Sequence, residues 1–80
     1  MLIVTKEKGI VNFDKTEEIY VWPDASASGR GFNIIARGIS GEKMKIGWYK
    51  SEERAEEVLL EIVEACRMIP QTIAYKMPEA

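Results

Sequence analysis

The hydrophobic period of the chain changes at Ser51, and that change restricts the fold more than any other feature. Before it, apolar residues alternate: Phe32, Ile34 and Ala36, then Met44, Ile46 and Trp48. This is the two-residue repeat of half-buried strands. After it, Ala55, Val58, Leu59, Ile62, Cys66 and Ile69 recur at helical spacing and form one apolar stripe. Ser51 offers a hydroxyl N-cap, and Glu52 and Glu53 follow in the first turn, where the helix dipole favours anions. Pro70 closes the helix. Strands followed by a helix indicate the α+β class.

The strand half divides at its turn residues. Leu2–Thr5 and Ile10–Phe13 flank Lys6-Glu7-Lys8-Gly9, a spacing that suits a hairpin with Gly9 at positive φ. Asp14–Glu17 is polar and turn-like, and Glu18–Trp22 reads as a strand that stops at Pro23. Phe32–Arg37 and Lys43–Tyr49 alternate again around a tight connection at Ile39–Glu42. Strict alternation puts Met44, Ile46 and Trp48 on one face and Lys45, Gly47 and Tyr49 on the other. Thr72–Met77 forms a last strand, stopped by Pro78. The expected architecture is a single domain over residues 1–80. It is an antiparallel β-meander of about five to six strands with one long helix of the C-terminal half packed on the sheet.

Eighty residues with one cysteine leave little core and no internal disulfide, so self-association into a homo-oligomer is expected. Cys66 without a disulfide partner suits a reducing compartment, and MLIVTKEKG lacks the shape of a signal peptide. No run is long enough to span a bilayer, so a cytoplasmic location and no membrane partner are expected. A net charge of −2 argues against broad nucleic-acid binding, which requires a strong basic excess. The chain has no histidine, and its one cysteine has no base to activate it. Glu52, Glu53, Glu56, Glu57, Glu61 and Glu64 read as a solvated helix face. No enzyme activity, cofactor or metal site is expected.

One stretch stands apart. PDASASGRGF, from Pro23 to Phe32, places Arg30 between two glycines, which suits either a phosphate cradle or a plain hairpin connection. No helix follows it to add a positive end. Arg37 and Arg54, with the aromatics Tyr20, Trp22, Trp48 and Tyr49, widen the constellation. Arginines supply charge-assisted bonds to phosphate, and aromatics supply a stacking surface for a base. The candidate ligand-binding residues are therefore Arg30, Arg37, Arg54, Trp22, Trp48 and Tyr49. The competing reading buries Trp48 beside Met44 and Ile46 and pairs the arginines with glutamates. Leu60 and Val63 lie off the main helical stripe among glutamates and suit a helix–helix subunit contact.

MLIVTKEKGIVNFDKTEEIYV, IGWYKSEERAEEVLLEIVEA and the terminal YKMPEA resemble a family of small uncharacterised proteins of bacteriophages and prophages of Gram-positive bacteria. The likeness spans the chain except for Pro23–Gly31 and Cys66–Gln71. Its most specific parts are Tyr49-Lys-Ser-Glu-Glu-Arg54-Ala with Glu57-Val-Leu59, and the Tyr75-x-Met77-Pro78 ending. The resemblance implies a non-enzymatic phage accessory protein acting in the host cytoplasm. It suggests a module that counters host defence by sequestering a phosphate-bearing nucleotide signal. Two alternatives stay open: an inhibitor that covers a host defence protein with its acidic helix, and a phage structural or assembly protein.

Overall fold

The computed structural model describes residues 1–6, 9–24, 31–67 and 74–79. It has the expected α+β class, with six strands and one α-helix among the described residues. The strands run β1 (Leu2–Val4), β2 (Ile10–Asn12), β3 (Thr16–Asp24), β4 (Gly31–Gly38), β5 (Lys43–Tyr49) and β6 (Ala74–Lys76). The helix α1 spans Glu52–Arg67 between β5 and β6.

The strands divide between two sheets where a single meander was expected. β3, β4 and β5 form an antiparallel meander, while β2, β1 and β6 form a second sheet in that order. β6 pairs with β1 in parallel, Leu2 opposite Ala74 and Val4 opposite Lys76. Its direction follows from connectivity: α1 separates it from the meander and carries the chain across to the N-terminal hairpin, as a parallel pairing requires. The Met77 N–H continues this ladder, donating to the Val4 carbonyl at 2.9 Å. The two sheets meet where the Lys6 N–H donates to the Ile46 carbonyl at 3.3 Å.

Local chemistry accounts for the ends of the elements. The Ser51 hydroxyl accepts from the Arg54 N–H at 3.1 Å, which makes it the expected N-cap. Asn12 caps a short 3₁₀ turn at Phe13–Lys15, and β3 begins immediately after it. β3 starts at Thr16, two residues before the expected Glu18 and inside the stretch read as a turn. It runs through Pro23 to Asp24, two residues beyond the expected end at Trp22. Proline is tolerated there because β3 is an edge strand. The β1–β2 hairpin closes with the Thr5 N–H on the Gly9 carbonyl at 2.8 Å. Contrary to expectation, its Gly9 does not take positive φ; among the described residues that conformation belongs to Gly41, φ 93°, between β4 and β5. The helix closure at Pro70 and the start of the last strand at Thr72 lie outside the described residues.

One core joins both sheets and the helix. Ile3 and Val11 from the first hairpin, Ile34, Ala36, Ile46 and Tyr49 from the meander, Ala55, Val58 and Ile62 from α1, and Met77 are all buried. α1 lies across β3, β4 and β5, so one face of the meander is covered. Among the described residues no helix is long and apolar enough to cross a membrane.

Candidate functional site: the open face of the β3–β5 meander

A bulge in β5 decides which side chains reach the uncovered face. Ile34 pairs with Gly47 and Ile35 with Lys45, so Ile46 is an extra residue on β5. Such a bulge reverses the alternation beyond it and re-aims the following side chains. Trp48 then shares a face with its partner Asn33, and Tyr49 turns to the core beside Phe32. This corrects the strict alternation read from the sequence: Tyr49, 1% exposed, takes the core position that would otherwise be Trp48's.

The register now lays out nine positions on the open face, because residues opposite one another in a ladder point the same way. Trp22, Asn33 and Trp48 form one row, Tyr20, Ile35 and Lys45 the next, and Glu18, Arg37 and Lys43 the third. Rows are about 7 Å apart along the strands, and the outer columns about 10 Å apart across them. Trp22 is 63% exposed. Its ring meets that of Tyr20 edge-on, centroids 6.3 Å apart. An open concavity of about 670 Å³ is lined by Glu18, Tyr20, Val21, Trp22, Ile35 and Lys43. The face is thus aromatic at one end and charged at the other.

Two polar atoms mark the aromatic end. Asn33 Oδ1 and Trp48 Nε1 are buried, and neither has a hydrogen-bond partner among the described residues. They sit on adjacent strands in the same row, an acceptor beside a donor. The Trp48 ring packs against Gly31, where an added Cβ would fall 2.5 Å from two of its carbons. Glycine is required at that approach. Behind the ring, Lys6 Nζ donates to the Trp48 carbonyl at 2.7 Å and lies 4.5 Å from the Tyr49 ring centroid.

The charged row is partly neutralised. Thr16 pairs with Gly38 and Glu18 with Arg37, which leaves Glu17 as an extra residue in β3 and lets both glutamates reach one guanidinium. Arg37 Nε donates to Glu18 at 3.0 Å, and its Nη2 to Glu17 at 3.4 Å. The Glu18 hydrogen bond is the main cause that raises the Arg37 pKa above its usual value. Lys43 lines the concavity beside them.

Of the six residues singled out in the sequence, the fold places Trp22, Arg37 and Trp48 together on this face. Tyr49 and Arg54 lie behind it. The Arg54 guanidinium carbon stands 6.0 Å from the Tyr49 ring centroid. Its Nη1 reaches Glu57 at 3.4 Å and Glu61 at 3.5 Å. Arg30 lies outside the described residues. Lys43, Lys45 and Asn33, which the sequence reading passed over, join the face through register alone.

Tyr49 has a different task. Its hydroxyl donates to the Pro78 carbonyl at 2.7 Å, while the Tyr75 hydroxyl donates to Glu61 Oε1 at 2.9 Å. Burial pushes the Tyr49 phenol up to about 12, against the opposing pull of Arg54. Burial also raises the Tyr75 phenol, reinforced by its bond to Glu61. The Tyr49–Leu59 stretch and the Tyr75–Pro78 ending therefore meet in space, and these bonds tie the C-terminal strand to the helix and the meander.

The chain matches no protein-family model, no curated protein and no solved structure.

Proposed function

We propose that this chain is a non-enzymatic binding module that holds a phosphate-bearing nucleotide on the open face of β3, β4 and β5. The observation that carries the reading is the Ile46 bulge, which brings Trp48 onto the face of Trp22. The aromatic row offers stacking surface, and such stacking contributes about 1–3 kcal/mol per base. Phosphates then extend toward Lys45 and Lys43, one and two rows away. A single nucleotide also suits a chain of net charge −2 better than a nucleic-acid polymer does.

The resemblance to phage and prophage proteins supports a setting inside an infected cell. There the module acts as a sponge, removing a nucleotide signal of host defence from the cytoplasm by binding without turnover. Inhibition of a host protein by the acidic helix has weaker support, because much of that acidity is already engaged. Glu57 and Glu61 pair with Arg54, Glu61 also accepts from Tyr75, and Glu64 pairs with Arg67.

The test is a thermal-shift and tryptophan-fluorescence titration with linear, cyclic and ADP-ribose-type nucleotides. A bound ligand raises the melting temperature by mass action and quenches indole emission. Trp22→Ala loses about fivefold or more in affinity, as expected for one stacking contact. Its stability stays within about 0.5 kcal/mol of wild type because the ring is exposed. No shift with any of these nucleotides at millimolar concentration overturns the reading.

A further inference from the structure

A second surface lies on α1, independent of the sheet face. Leu60 and Val63 are 64% and 45% exposed, large apolar side chains that the core leaves uncovered. At 3.6 residues per turn, Glu56, Leu60, Val63 and Arg67 fall within an arc of about 60°. The stripe thus reads acid, apolar, apolar, base along a single helix face.

That order is complementary to itself when reversed. We propose that the stripe is the contact between two copies of the chain, packed as antiparallel helices about a two-fold axis between positions 61 and 62. In that register Leu60 meets Val63 of the partner subunit, and Glu56 meets Arg67 of the partner subunit. The symmetry repeats each contact, so four apolar side chains are closed at both ends by an ion pair. A parallel arrangement in the same register sets Glu56 against Glu56 and Arg67 against Arg67, and is disfavoured. Arg67 keeps donors for this contact while its Nη1 holds Glu64 at 3.1 Å within the helix, because a guanidinium has five N–H groups.

The contact is small. A helix of 16 residues is about 24 Å long, and a seam of this length falls short of the roughly 800 Å² per partner of a standard interface. A weak, reversible dimer follows. α1 packs on the covered face of the meander, so pairing through its outer side leaves both open sheet faces exposed in the dimer.

Sedimentation equilibrium of the full chain from micromolar to millimolar concentration tests this. Wild type is expected to pass from monomer to dimer across the range, and Leu60→Glu is expected to stay monomeric with an unchanged circular-dichroism spectrum. Glu56→Arg and Arg67→Glu each weaken the dimer about tenfold, since symmetry places two like-charge contacts in the seam. The double variant restores wild-type association. A wild type that remains monomeric throughout overturns the proposal. So does a dimer indifferent to Leu60→Glu, or single charge variants that the double variant fails to rescue.

Discussion

At the scale of single residues, two aromatics that adjoin in sequence have opposite tasks. Trp48 lies outward on Gly31, and Tyr49 lies inward with its hydroxyl on the Pro78 carbonyl. Gly31→Ala forces a Cβ to within 2.5 Å of the Trp48 ring and 2.6 Å of the Tyr49 carbonyl oxygen. Overpacking of this kind costs about 1–3 kcal/mol. Urea denaturation should show that loss, together with a changed tryptophan emission. Tyr49→Phe removes one hydrogen bond and should cost about 1 kcal/mol near neutral pH. The Tyr49 phenol titrates at about 12 in the folded chain against an ordinary 10.0. The unfolded chain therefore loses this proton first as pH rises, and stability present below pH 10 is lost progressively up to about 12. Denaturation midpoints between those pH values should fall for wild type and fall less for Tyr49→Phe.

At the scale of elements, the helix was legible because its signals are local. The Ser51 cap, the acidic first turn and the stripe of Ala55, Val58 and Ile62 all lie within the helix they specify. Ser51→Ala should lower stability by about 1 kcal/mol through loss of that cap, read as an earlier midpoint with unchanged slope in chemical denaturation. Strands were legible for the same reason, but their facing was not. Whether Trp48 points in or out depends on two residues of β5 opposing one step of β4, a relation between strands that alternation within β5 does not encode. The same holds for Glu17 and Glu18, which converge on Arg37 only because β3 carries an extra residue there. Lys43 and Lys45 entered the candidate site by the same route, as partners of Arg37 and Ile35.

At the scale of the whole molecule, the two sheets and the parallel β1–β6 pair arise from contacts between the ends of the chain. Ile3 and Tyr75 are register partners, and nothing near either residue announces the other. Tyr49, Tyr75 and Met77 hold the Tyr49–Leu59 and Tyr75–Pro78 stretches against the core and against each other. The aromatic and cationic face lies on the far side of the meander from α1. Scaffold and candidate site are thus separate, and the end of the open face formed by exposed Trp22 and half-buried Tyr20 can be altered without touching the core.

The most direct measurement is an ¹⁵N-correlation titration of the folded chain with a nucleoside triphosphate, following the two indole N–H signals and the Asn33 side-chain amide. A ligand on the open face moves the Trp22 and Trp48 indoles and Asn33 together, saturably, while the amides of Ala55, Val58 and Ile62 stay in place. Shifts confined to α1, or spectra unchanged at millimolar nucleotide, contradict a binding site on the β3–β5 face.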